Sequence, residues 1–205
     1  MQSCNVYFMH LGRMLGLPRL RTALASFGFS RRTGWPLAEQ TGHLPQRRLS
    51  EGEVALLAIG QGEVLITPLQ AAVMGSAFAN AGWLVEPWVA RSVAGRPVAP
   101  RPPPRRLPWS AETIETVRVG MRAVVRDPSG TGHGAFSPQV SIAGKTGTAQ
   151  TQAHGRTHGW FVGFCPLEQP RVAMAIVAEY GGSGGALPAD VARAICEYVK
   201  LPGAL

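Results

Sequence analysis

The stretch Ala143-Gly-Lys-Thr-Gly-Thr-Ala-Gln150 carries the strongest local signal in this sequence. Its Gly-Lys-Thr triplet invites comparison with a phosphate-binding loop, which requires another glycine five residues before Gly144 and a helix immediately after the triplet. That earlier position is occupied by Gln139, and the β-favouring threonines on either side of Gly147 indicate a strand. The sequence therefore excludes a phosphate-binding loop and predicts a strand here.

The Lys145-Thr-Gly147 triplet also resembles the Lys-Thr-Gly strand of serine acyltransferases that recognise D-alanyl peptides and β-lactams, which implies an extended peptide that ends in a carboxylate as ligand. The backbone of an edge strand can pair with such a peptide, and Lys145 would supply positive charge near the carboxylate. Thr146 and Thr148 would supply hydroxyl groups, and Gly147 would leave room for close backbone approach. The triplet is short, and an ordinary strand with a turn glycine would look the same, so its interpretation depends on the rest of the chain.

Helical patterns precede this strand, and strand patterns follow it. Apolar spacing predicts a helix that ends at Gly16, a second from Pro18 to Gly28, and a loop over 29–50. Further helices are predicted to begin at Thr67-Pro68, Ser110 and Pro188. Strands are predicted over 140–150, 160–165 and 171–179, with extended structure over 83–100 and a proline-rich surface connection over 101–108. This order predicts an α+β fold with helices packed on an antiparallel sheet.

Composition limits the class of protein. At 205 residues and 45% hydrophobic content, the chain can form one domain with a core. Lys+Arg 20 against Asp+Glu 12 gives a net charge of +8, but the arginines are scattered and do not alternate with aromatic residues, so nucleic-acid binding is not expected. No apolar run is long enough for a transmembrane helix, and Met1–Gly12 lacks the pattern of a signal peptide.

Cysteines and histidines give no sign of a metal site. Cys4, Cys165 and Cys196 are odd in number and lack Cys-x-x-Cys spacing, which argues against a disulfide framework or a zinc site. Their apolar neighbours predict that each is a buried small hydrophobic residue. His154 and His158 flank a predicted loop with no carboxylate nearby in sequence, which favours exposed loop histidines over metal ligands. We predict neither a metal nor an organic cofactor.

Four blocks in a fixed order extend the signal over nearly the whole chain. They are Ser3-Cys-Asn5, then Ala58-Ile-Gly-Gln-Gly62 with Thr67-Pro-Leu-Gln70 and Ala79-Asn-Ala-Gly82, then the lysine strand, then Gly159-Trp-Phe-Val-Gly-Phe164. Together they resemble the transpeptidase domain of penicillin-binding proteins, with its Ser-x-Asn and Lys-Thr-Gly motifs. Gly130-Thr-Gly132 and Gly42-His-Leu-Pro45 are most similar to the class B, elongation-type members. The resemblance implies part of the penicillin-binding and β-lactamase-like transpeptidase fold.

The resemblance assigns roles to the motif residues. Ser3 would relay protons around the site, and Asn5 would bind the amide carbonyl of the substrate. Lys145 would hold the hydroxyl network and negative charge together. Thr146 and Thr148 would bind the carboxylate, and the backbone N–H of Thr148 would form half of an oxyanion hole, in which a single donor is worth roughly 3 kcal/mol of barrier.

One motif of that family does not occur in this sequence. The nucleophile lies in Ser-x-x-Lys, where the lysine helps take the serine proton. Lys145 and Lys200 are the lysines of this chain, and neither has a serine three positions before it. We therefore expect the nucleophile, a membrane anchor and an export signal upstream of Met1, with residues 1–205 forming the C-terminal part of a single transpeptidase domain.

In the intact enzyme, the resemblance implies a peptidoglycan D,D-transpeptidase on the extracytoplasmic face of the membrane. It would cross-link stem peptides through an acyl-serine intermediate, and β-lactams would trap the same serine. The chain alone would then be inactive. Two alternatives remain: a non-catalytic module that binds peptidoglycan peptides or a partner chain, and a basic nucleic-acid-binding protein with steeply salt-dependent affinity.

Overall fold

A computed structural model of the chain describes residues 2–98, 102–151 and 155–200. Its helices are α1 (Asn5–Ser26), α2 (Glu51–Ala58), α3 (Pro68–Ala79), α4 (Ala111–Arg126) and α5 (Leu187–Lys200), with a short 3-10 helix at His133–Ala135. Its strands are β1 (Trp83–Leu84), β2 (Ser92–Val93), β3 (Arg96–Pro97), β4 (Arg105–Arg106), β5 (Ala143–Gln150), β6 (Thr157–Cys165) and β7 (Val172–Ala178). The predicted α+β fold is confirmed.

The main sheet is antiparallel and follows the order β5-β6-β7. β6 lies in the centre, where Phe161 and Phe164 are fully buried on opposite faces. Phe161 packs in the cluster that contains Ala189 and Cys196 of α5. Phe164 packs with Met121 of α4 and residues of α3. Helices therefore cover both faces of the sheet, and β5 is left as an edge strand.

Capping residues explain where the helices begin. α3 starts at a capping box between Thr67 and Gln70 with Pro68 in its first turn, as the sequence predicts. α4 begins after Ser110, whose side chain accepts a hydrogen bond from the backbone N–H of Thr113, and it ends before Asp127 as predicted. α1 is interrupted at Gly16, which has a φ of 75° and a ψ of 161°, so the two predicted helices are continuous except for this break.

One helix was missed by the sequence-based prediction, and one short strand lies in a segment that was predicted as a connection. α2 was not predicted, although Ser50 and Glu53 form a capping box that marks its start. The connection over 101–108 was predicted as a surface segment without a helix or a central strand, and it carries a two-residue strand, Arg105–Arg106, that pairs with Trp83–Leu84. A single short pairing between two-residue strands is compatible with nearby prolines, because it leaves most of the segment outside any sheet.

The cysteine prediction is wrong in two respects. Cys165 and Cys196 are fully buried as predicted, but they form a disulfide that joins the end of β6 to α5. Cys4 is an exposed free cysteine rather than a buried one. The odd number of cysteines argued against a disulfide, and the spacing of cysteines in the sequence does not show that the end of β6 packs against α5.

Within the described residues, no helix is long and apolar enough to cross a membrane.

Candidate active site

The site is formed where the start of α1 meets the edge strand of the sheet. Lys145 Nζ donates a hydrogen bond to Ser3 Oγ at 2.6 Å and another to the backbone carbonyl of Thr146 at 2.7 Å. Ser3 and Lys145 are 142 residues apart in sequence. The fold therefore brings together two of the residues that the motifs single out, although the elements that carry them are distant along the chain.

The start of α1 does not use the motif residues as a helix cap. The N-cap is Cys4, which makes no side-chain capping hydrogen bond. Ser3 has a φ of 49°, in the left-handed region that non-glycine residues rarely adopt. Such a conformation costs about 1–3 kcal/mol and is concentrated at functional sites. Helix capping therefore does not account for the position of Ser3. Its hydroxyl instead contacts Lys145.

Asn5 is the first residue of α1, and its side chain is exposed to solvent. In the part of the chain that the structure describes, Asn5 makes no side-chain hydrogen bond to Ser3 or Lys145. The role of Asn5 in binding a substrate amide stays a prediction.

The environment of Lys145 lowers the pKa of its ammonium group below the usual 10.5, because neighbouring protein atoms remove part of its water. The residue as a whole is exposed by accessible area, so the desolvation is local to the ammonium end. No carboxylate in the described residues forms an ion pair with Lys145. Its positive charge is therefore available to an anionic ligand, and its proton is held less tightly than that of a solvated lysine.

The threonines of β5 lie beside this lysine. Thr146 Oγ1 is 2.7 Å from Thr131 Oγ1, so the turn after α4 contributes a second hydroxyl to the same place. The sequence analysis used Gly130-Thr-Gly132 only as a subclass marker, and Thr131 was not predicted as a site residue. Thr148 lies two residues further along β5, opposite Gly159 of β6, and is exposed.

A glycine-rich loop, residues 181–185, packs directly on β5, the strand that carries Lys145, and on β6 beside it. A Cβ added to Gly184 would lie 2.0 Å from the backbone carbonyl oxygen of Trp160 and 2.5 Å from that of Gly147. A Cβ added to Gly185 would lie 2.3 Å from the carbonyl oxygen of Thr131. The loop therefore borders both the lysine strand and the Thr131 turn. Gly147 itself leaves room for Trp160, since an added Cβ would be 3.3 Å from Trp160 Cβ.

Gln61 reaches the site from the connection between α2 and α3. Its Nε2 donates a hydrogen bond to the backbone carbonyl of Thr148 at 2.9 Å, and its Oε1 is 3.5 Å from the backbone nitrogen of Gln150. Gln61 lies in the Gly-Gln-Gly block of the family resemblance, but no role was predicted for its side chain. No local pattern indicates a contact across 87 residues.

Ser3 and Lys145 also line an apolar groove with a volume of about 400 Å³. Its other side-chain walls come from α1, α3, α4 and β6, namely Phe8, Met74, Phe78, Val117, Met121, Val124 and Val162. Phe8 is 48% exposed and Val117 is 37% exposed. An apolar surface of this kind next to a polar site is typical of a place that another element covers.

The comparison with known proteins decides the family. The profile of the penicillin binding protein transpeptidase domain matches residues 1–197. The chain belongs to the penicillin-binding protein transpeptidase family. This chain is 32% identical over 222 residues to the peptidoglycan D,D-transpeptidase MrdA of Acinetobacter baumannii, covering 96% of this chain and 33% of that relative. The match to MrdA confirms the predicted similarity to class B, elongation-type members of the family.

Solved structures of the family have the same fold as this chain. Pseudomonas aeruginosa PBP2 in complex with WCK 5153 superposes with a TM-score of 0.84 at 32% identity, covering 98% of this chain and 48% of that one. The ceftriaxone acyl-enzyme complex of penicillin-binding protein A from M. tuberculosis gives 0.83 at 29% identity, covering 95% and 46%. The chain thus spans about a third of the curated relative and about half of each solved chain.

Among the described residues, histidines, cysteines and acidic residues do not gather into a metal centre. His158 Nδ1 accepts a hydrogen bond from the backbone N–H of Tyr180 at 3.0 Å, and the two rings lie 5.0 Å apart. His154 lies outside the described residues.

Proposed function

We propose that this chain forms the substrate-binding half of a peptidoglycan D,D-transpeptidase active site. The observation that carries the proposal is the hydrogen bond between Lys145 Nζ and Ser3 Oγ at 2.6 Å. It joins the Ser-x-Asn and Lys-Thr-Gly motifs at one edge strand, and no capping or ion-pair role accounts for it.

The nucleophile would come from a segment that contains Ser-x-x-Lys and precedes these residues in a longer protein. The apolar groove beside Ser3 and Lys145 supports this arrangement, because it offers an apolar helix face a place to pack within reach of both side chains. We refer to the present chain together with that preceding segment as the extended form.

The substrate would be a stem peptide that ends in D-alanyl-D-alanine. Its terminal carboxylate would be bound by the hydroxyls of Thr146 and Thr148 and by the charge of Lys145, which no carboxylate of the described residues neutralises. Thr131 would support this by fixing the hydroxyl of Thr146 at 2.7 Å. Charge-assisted hydrogen bonds to a carboxylate are about twice as strong as neutral ones.

The reaction is acyl transfer in two steps. The nucleophilic serine oxygen forms a bond to the carbonyl carbon of the penultimate D-alanine, the peptide bond to the last D-alanine breaks, and the serine proton passes to the departing amine. An amine of a second stem peptide then attacks the ester carbonyl carbon; the new peptide bond forms, the ester bond to the serine oxygen breaks, and a proton of the amine passes to that oxygen. Ser3 and Lys145 would move these protons, and the lowered pKa of Lys145 favours that exchange. Asn5 would hold the peptide amide, and the backbone N–H of Thr148 would stabilise the oxyanion.

We also propose an extracytoplasmic location, at the membrane surface if the preceding segment includes an anchor. The disulfide between Cys165 and Cys196 supports this location, because disulfides persist in oxidising compartments such as the periplasm and are rare in the cytosol. β-Lactams would bind as substrate analogues, and a ceftriaxone acyl-enzyme complex of the M. tuberculosis relative supports this.

Covalent labelling of the extended form by a fluorescent penicillin tests the proposal. The extended form should be labelled, and Lys145→Met should slow acylation at least about 100-fold, because it removes a charged group from the site. Arg126→Met is the matched control, since it removes an exposed positive charge outside the groove lining and should leave the rate unchanged. An unlabelled extended form, or a Lys145→Met variant labelled as fast as its parent, would overturn the proposal.

A further inference from the structure

Gln61 pairs with the free edge of β5 in the way that a neighbouring strand would. Its carboxamide donates to the carbonyl of Thr148 at 2.9 Å and faces the N–H of Gln150 at 3.5 Å. Because β5 is an edge strand, these backbone groups have no strand partner in the described sheet. One side-chain amide thus supplies both the donor and the acceptor that an added peptide would offer.

The backbone of Gln61 is held firmly while its side chain crosses to the strand. Its N–H donates to the carbonyl of Leu56 in the last turn of α2 at 2.9 Å. Gly60 and Gly62 on either side have φ values of 74° and 84°, which allow the tight turn that places Gln61 there. A rotation of the side chain alone would release Thr148 without disturbing the fold.

An extended peptide that adds to β5 would need the same backbone groups. Thr146, Thr148 and Gln150 alternate with residues that face β6, so their backbone groups share the free edge. Lys145 occupies the carbonyl of Thr146, and Gln61 occupies that of Thr148. A peptide amide therefore competes with the Gln61 carboxamide for one acceptor.

We infer that Gln61 is an intramolecular substitute for the substrate backbone: it occupies the edge of β5 when the site is empty and yields Thr148 to the amide of an incoming peptide or β-lactam. The inference rests on the proposed function and adds a residue that sets ligand affinity. It predicts whether a substitution at Gln61 strengthens or weakens ligand binding. Removal of a competing side chain strengthens binding, whereas removal of a supporting side chain weakens it.

The size of the effect follows from the bond that is exchanged. A neutral hydrogen bond contributes modestly in water, so loss of this competitor should lower the dissociation constant of the pre-covalent complex about 2- to 10-fold. The acylation rate constant should not change, because Gln61 has left the strand before the covalent step.

The test is stopped-flow acylation of the extended form by a fluorescent penicillin, with the pre-covalent dissociation constant and the acylation rate constant resolved separately. Gln61→Ala should lower the dissociation constant about 2- to 10-fold and leave the acylation rate constant unchanged. Gln46→Ala is the matched control, because Gln46 Nε2 also donates to a backbone carbonyl, that of Leu44 at 3.1 Å, but does not contact β5. It should change neither constant.

The outcomes separate the inference from the proposed function. A labelled parent whose Gln61→Ala variant binds penicillin equally well or more weakly overturns the inference alone. An extended form that takes no label at all overturns the proposed function, and the inference falls with it.

Discussion

Replacing Gly184 by alanine should push the loop 181–185 away from the site strand. The new Cβ would lie 2.0 Å from the carbonyl oxygen of Trp160 and 2.5 Å from that of Gly147. Both obstacles are backbone atoms, so no side-chain rotation relieves the clash. An ordinary contact begins near 3.4 Å, so the loop must move about 1.4 Å away from Trp160 on β6 and about 0.9 Å away from Gly147 on β5.

A displacement of about 0.9 Å at Gly147 would move Thr148, the next residue on β5, and Lys145, two residues before it, relative to Ser3. Misplacement of catalytic groups by about 1 Å can reduce a rate about 100-fold. We expect a similar loss in the second-order rate constant for penicillin acylation of the extended form, with destabilisation of about 1–3 kcal/mol from overpacking.

Gly52→Ala is the matched control for this change. Gly52 lies in α2, and an added Cβ would meet nothing within 4 Å. It should keep the parental acylation rate and raise stability by up to about 1 kcal/mol, as expected for alanine in a helix. Acylation of Gly184→Ala within about twofold of the parent rate would refute the assigned contact between this loop and the site strand.

Three further predictions concern stability. Gln70→Ala should lower the free energy of unfolding by about 2–4 kcal/mol in urea titrations, because it breaks three hydrogen bonds of a side chain that is only 2% exposed; a loss below 0.5 kcal/mol would contradict this. The pKa of Glu53 is lowered to about 2, chiefly by its hydrogen bond with Arg47. The stabilisation of the folded state by the Glu53 carboxylate is therefore complete above about pH 4.5 and is lost as the pH falls towards 2. Glu53→Gln should abolish that part of the acid dependence, and an unchanged profile would count against it. Reduction of the Cys165–Cys196 disulfide should lower the free energy of unfolding by about 3–4 kcal/mol, since its cysteines are 31 residues apart. If thiol counting shows that the disulfide is reduced and the denaturation midpoint is nevertheless unchanged, this prediction is wrong.

Much of the fold could be predicted because local patterns determine it. The capped, periodic segment after Ser110 predicted α4 to its last residue, and the strand patterns predicted the sheet that holds Lys145. α2 was missed because it is only 8 residues long, too short for apolar spacing to stand out, although Ser50 and Glu53 mark its start.

The site could be predicted only in part. Motif resemblance singled out Ser3 and Lys145, and the structure brings them together. Thr131 and Gln61 were not predicted, because each reaches β5 through tertiary packing that has no sequence period. The disulfide escaped prediction for the same reason.

The identity of the acylated serine tests the central claim most directly. The present chain and the extended form would each be treated with penicillin, and the covalent adduct would be located by mass spectrometry of proteolytic peptides. We expect an adduct on the serine of Ser-x-x-Lys in the preceding segment and none on the present chain alone. An adduct on Ser3, or on any other serine within residues 1–205, would contradict it.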